Sequence, residues 1–100
     1  RIADIVTSLE SNCFQIEADL QTINRDMQTT YECLQRYGDV YLPAYRFLSN
    51  TRDAKKLRYK EIIHQLESIK SQVDASNSLL HSLNSTSIQP VNVSVTLARQ

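Results

Sequence analysis

The sequence predicts an all-α protein in which two long helices form an antiparallel hairpin, a coiled coil that assembles into a helical bundle. Three observations support this class. Apolar residues recur with a seven-residue period, the 100-residue chain has a single Gly, and that Gly separates two such repeats. Lys and Arg balance Asp and Glu at 11 each, so net charge favours neither nucleic acid nor an anionic membrane. No apolar run approaches the roughly 20 residues of a membrane-spanning helix.

The first repeat predicts a helix over residues 1–37. Apolar residues occupy the a and d positions of the heptad, Thr30 is a polar interruption, and no Pro or Gly precedes Gly38. We expect this seam to bury against other helices. Its residues are Val6, Leu9, Cys13, Ile16, Leu20, Ile23, Met27 and Leu34.

A connector is predicted over residues 38–50. Gly38 and Asp39 favour the end of a helix, and Pro43 suits the first turn of a short helix. Most of the aromatic residues lie at this end of the molecule, including Tyr41, Tyr45 and Phe47. Two interpretations stay open: a hydrophobic plug that closes the hairpin, or an exposed patch that docks a partner.

The second repeat predicts a helix over residues 51–84, with Asn50 as its N-cap and Ser76 as a polar interruption. Other apolar residues broaden the apolar stripe, so the helix requires more than one neighbour. The second seam comprises Tyr59, Ile62, Leu66, Ile69, Val73, Leu80 and Leu83.

The flanks of the two seams differ in charge, being acidic on the first helix and basic on the second. This difference favours antiparallel pairing within the chain and predicts an ion pair between Glu17 and Lys70. The same register places Thr30 opposite Arg58 and Tyr59. The alternative, parallel pairing with a second chain, would bring like charges together.

Residues 85–100 form a different pattern. After helix-ending polar residues at 84–87, Val91, Val93, Val95 and Leu97 alternate with Asn92, Ser94, Thr96 and Ala98. Period-two alternation predicts a short tail that is an extended strand or disordered. We interpret the glycosylation triplets at Asn84 and Asn92 as chance matches.

No arrangement of residues predicts a catalytic, cofactor-binding or metal site. His64 and His81 lie roughly 25 Å apart along one helix, and Cys13 and Cys33 lie about 30 Å apart along the other, too far for a disulfide between them. One basic cluster remains, which we interpret as a solvated helix face, with an acidic protein surface or nucleic acid as alternatives. It consists of Arg52, Lys55, Lys56, Arg58 and Lys60.

The sequence therefore predicts a non-enzymatic oligomerisation or scaffolding segment without a cofactor. Because the chain opens at Arg1 rather than Met, we interpret it as part of a larger protein. The expected partners are further copies, as a dimer or tetramer, or helices of other subunits, in the cytoplasm or nucleus. One alternative is a recognition module that uses the aromatic end, residues 31–47, or the terminal strand. A third is weak nucleic-acid binding through residues 52–60.

Overall fold

A computed structural model describes the backbone of residues 1–97 and the side chains of residues 1–84. Helix α1 spans Ile2–Tyr37, a 3-10 helix spans Asp39–Tyr41, and helix α2 spans Leu42–Leu97. The described residues contain no strand, and the predicted all-α helical hairpin is confirmed. The chain divides into two units, Arg1–Leu66, which contains the hairpin, and a second that begins at Glu67.

Helix α1 ends at Gly38 for a conformational reason. Gly38 has φ 91° and ψ −164°, a region that is essentially restricted to glycine because a Cβ atom is strained there. Its N–H donates to the carbonyl oxygen of Leu34 at 2.9 Å and so satisfies one of the last carbonyls of the helix. Asp4 in the first turn and Arg36 in the last turn complement the helix dipole.

The connection between the helices is shorter than the sequence indicated. The predicted connector, residues 38–50, is wrong beyond Tyr41, because α2 already begins at Leu42. Pro43 lies in the first turn of α2, where a missing N–H breaks no intrahelical bond. Tyr45 and Leu48 are half-buried and continue the heptad frame of Tyr59 toward the start of α2. Residues 42–50, which we assigned to the connector, therefore belong to the second helix.

The shorter connection changes which residues face each other. The Lys55 ammonium lies 2.9 Å from the Asp19 carboxylate, and the Tyr59 hydroxyl lies 2.7 Å from the Glu17 carboxylate. The predicted Glu17–Lys70 pair is wrong, because Tyr59 takes the place opposite Glu17 and Lys70 lies 3.4 Å from Asp74 on its own helix. The register is displaced by roughly three helical turns from the predicted one.

The core of the first unit is a small cluster between the helices. Cys13 and Ile16 of α1 and Ile62 of α2 are buried, and Ile62 is fully enclosed. Farther along α1, Ile23 and Met27 are also buried. Half-buried side chains surround the cluster, namely Leu9, Leu20, Tyr59, Ile63 and Leu66. The hairpin thus encloses a single narrow line of apolar side chains.

The end of α2 also differs from the prediction. The alternating segment after residue 90 is helical up to Leu97, where the sequence indicated an extended strand or disorder. An isolated strand leaves its backbone N–H and C=O groups without partners, whereas a helix pairs them within the segment. Residues 98–100 of the predicted tail lie outside the described residues.

Candidate functional site

Most residues of the predicted seam are buried or half-buried. On α1, Cys13, Ile16, Ile23 and Met27 are buried. The other seam residues of α1 are half-buried, namely Val6, Leu9, Leu20 and Leu34. On α2, Ile62 is buried, and the half-buried seam residues are Tyr59, Leu66, Ile69 and Val73. Leu80 and Leu83 differ from these, since they are 58% and 54% exposed.

The aromatic end is divided between two environments. The Tyr31 and Tyr45 rings have centroids 6.1 Å apart, and those of Tyr37 and Tyr41 are 6.0 Å apart. Such tilted pairs lie within the usual range for favourable ring contacts. Phe47 belongs to neither pair and is 68% exposed. The structure therefore places Tyr41 and Tyr45 in contacts within the hairpin and leaves Phe47 accessible.

The predicted basic cluster does not form one surface. At 3.6 residues per turn, its five members are distributed around α2. Arg52 lies 3.3 Å from Asp53, Lys55 lies 2.9 Å from Asp19, and Arg58 lies 3.4 Å from Glu61. Carboxylates therefore compensate these three charges.

Arg52 and Lys55 also occupy positions that sequence reasoning missed. Both are half-buried and continue the heptad frame of Tyr59 and Ile62 toward the start of α2. Extending that frame by one heptad would have found them, but their charge placed them in the basic cluster. The long side chains of Arg and Lys allow the apolar stem to cover the seam while the charged end reaches a polar partner.

Burial and polar contacts, two of them across the hairpin, shift the pKa of three groups. The pKa of Tyr59 is raised, chiefly because its hydroxyl donates a hydrogen bond to Glu17, and partial burial adds to this effect. The pKa of Asp19 is lowered, because Lys55 and Gln15 donate to its carboxylate. Burial raises the pKa of the Cys13 thiol, and the neighbouring carboxylates Glu17 and Glu10 act in the same direction. Cys13 is thereby kept as a weakly nucleophilic neutral thiol.

Two apolar grooves lie along the hairpin, one on each side of the seam. The Phe14 groove has a volume of about 360 Å³ and is lined by Glu10, Cys13, Phe14, Glu17, Tyr59, Ile63 and Leu66. The Phe47 groove has a volume of about 480 Å³ and is lined by Ile16, Phe47, Asn50, Thr51, Ala54, Lys55 and Arg58. Each groove has a largely exposed Phe at its edge, Phe14 at 74% and Phe47 at 68%. These grooves are the candidate functional surfaces.

The metal-ligating and nucleophilic side chains of residues 1–84 do not form a cluster. Among residues 1–84, no three of His, Cys, Asp and Glu gather where they could hold a metal ion. Cys13 and Cys33 are free thiols, and His64 and His81 are exposed. Within the described part of the chain, no helix has an apolar stretch long enough to cross a membrane. Comparison with protein-family models, with curated proteins and with solved structures finds no match for this chain.

Proposed function

We propose that this chain is a non-enzymatic coiled-coil segment that holds protein subunits together, with further copies of itself as the first partner. The observation that supports this proposal is the exposed apolar surface beside a thin core. Phe14 and Phe47 are 74% and 68% exposed, and Ile5 is 50% exposed. Burial of such side chains contributes about 1.5–3 kcal/mol each.

The width of the apolar stripe supports assembly rather than a solitary hairpin. Two helices bury one seam, and helices with a broader stripe usually pack against more than one neighbour. The apolar grooves beside the seam offer such neighbours a surface to pack against. The free thiols of Cys13 and Cys33 suit a reducing compartment, so we place this assembly inside the cell.

The test is the absolute mass of the chain, measured by light scattering over a concentration series, with helicity followed by circular dichroism. We expect a strongly helical dimer or tetramer that dissociates on dilution. A chain that stays helical and monomeric at every concentration would contradict assembly with itself. A chain that gains helix only when another protein is added would identify a different subunit as the partner.

A second candidate function is recognition of another protein through the Phe47 groove. The observation that favours it is that Phe47 is exposed although the neighbouring aromatic residues pair with each other. Phe47→Ser should then leave mass and helicity unchanged but abolish partner binding, whereas Tyr45→Ser should destabilise the hairpin. The terminal strand, which the sequence suggested as another docking element, is helical as far as Leu97. Nucleic-acid binding through residues 52–60 has less support, because most of those charges face carboxylates.

A further inference from the structure

We infer that a second copy of this chain docks on the Phe14 groove about a two-fold axis that runs parallel to the helices. In this arrangement α1 of each copy lies against α2 of the other, and each Phe14 enters the groove of its partner. The inference rests on the proposed function, because it specifies the surface and geometry of the assembly proposed above.

The apolar part of the groove fits an aromatic side chain. Its floor is formed by buried Cys13 and half-buried Ile63 and Leu66, and Phe14 stands at its edge. A two-fold interface brings the same patch of both copies together, so a groove and a neighbouring exposed ring form a self-complementary pair. Aromatic side chains that enter well-packed pockets commonly provide most of the free energy of association.

Charge decides the direction of the axis. The α1 edge of the groove is acidic, with Glu10 and Glu17. On α2, helical spacing places the exposed Lys56 and Lys60 on the face next to Ile63, which lines the same groove. An axis parallel to the helices places the acidic edge of one copy on the basic edge of the other. An axis perpendicular to the helices would place α1 on α1, so that carboxylates face carboxylates. Complementary edges favour the parallel axis.

The register of the hairpin brings the acidic residues of one copy level with the basic residues of the other, without a shift of either copy along the axis. Glu17 and Tyr59 are joined by a 2.7 Å hydrogen bond and therefore lie at the same height along the hairpin. Rotation about an axis parallel to the helices preserves that height. Glu17 of one copy then lies at the level of the partner's Tyr59, and Lys56 and Lys60 are within one turn of that residue.

The first test compares three substitutions by sedimentation equilibrium of the full chain. Phe14→Glu places a charge in the groove and should weaken association roughly a hundred-fold or more, since the symmetric interface contains it twice. Leu57→Glu and Phe47→Glu introduce the same charge at other exposed apolar positions and should change the dissociation constant by less than about three-fold. Circular dichroism of each variant checks that the hairpin remains helical.

The second test distinguishes the two axes by whether removal of one charge weakens or strengthens association. Glu17→Gln removes the charge but keeps an oxygen that accepts the Tyr59 hydrogen bond. With the parallel axis it should weaken association roughly two- to ten-fold at low salt, and the effect should fade at high salt. With the perpendicular axis the same substitution would relieve repulsion and strengthen association, which would overturn the inferred geometry.

The outcomes separate this inference from the proposed function. If the unaltered chain self-associates but Phe14→Glu has no effect, or if Phe47→Glu dissociates it instead, the docking surface is wrong and the assembly function stands. If the unaltered chain is a helical monomer at every concentration, assembly with itself fails, and the docking geometry fails with it.

Discussion

Ile62→Ala tests whether the hairpin depends on the fully enclosed side chain of Ile62. Ile62 is 0% exposed and lies between Cys13 and Ile16 of α1. The substitution removes three carbon groups at about 0.8 kcal/mol each, and the remaining cavity adds a further cost because the neighbours relax only in part. Alanine has a higher helix propensity than isoleucine, which offsets a few tenths of a kcal/mol of this loss. We expect a loss of roughly 3 kcal/mol in the free energy of unfolding.

The assay is urea unfolding followed by circular dichroism at one fixed protein concentration, since self-association would change the apparent stability. Leu57→Ala is the matched control, because Leu57 lies on the same helix but is 60% exposed, and its truncation should cost less than about 0.5 kcal/mol. Ile62→Val should fall between them at about 1 kcal/mol. Equal losses for Ile62→Ala and Leu57→Ala would refute the assignment of Ile62 to the core.

Three further predictions concern the turn, the ion pair across the hairpin and the thiols. Gly38→Ala should cost roughly 1–3 kcal/mol in chemical denaturation through backbone strain alone, since no atom lies within 4 Å of the added Cβ; no loss would contradict the strained φ. Asp19→Asn should lower the unfolding midpoint at neutral pH. Because Lys55 lowers the folded-state pKa of Asp19, this stabilisation is present above the unfolded pKa and is lost as pH falls through the folded one, so the two proteins should converge in acid. A difference that persists in acid would point to another cause. Cys13 should react with a thiol reagent more slowly than Cys33 in the folded chain, and equal rates would contradict its burial.

The helices and the residues on their inner faces were predictable from the sequence because they depend on local periodicity. Heptad spacing places Cys13, Ile16 and Ile62 on apolar faces, and these residues form the observed core. The end of α1 was equally predictable, since Gly38 adopts a conformation that other residues avoid. Each of these features is determined within a few turns of one helix.

The partners across the hairpin were not predictable in the same way, because they depend on the length of the turn. Aromatic residues after Gly38 fit either a cap or another turn of helix, and counting them as a cap moved the expected partner of Glu17 from Tyr59 to Lys70. The seam positions of Arg52 and Lys55 were missed for another reason: both lay within the predicted second helix, but their charge assigned them to the basic cluster. A heptad repeat leaves register undetermined, because sliding one helix by whole heptads preserves its apolar face.

The sequence by itself thus determined an all-α chain, two apolar seams and opposite charges on their flanks, all of which are properties of single helices. Only the tertiary structure decided which turn of α2 meets which turn of α1, that Phe14 and Phe47 remain exposed beside separate grooves, and that Tyr59 rather than Lys70 contacts Glu17. The physical reason is that periodicity specifies a face of a helix, whereas the position along that face is specified by the geometry of the turn.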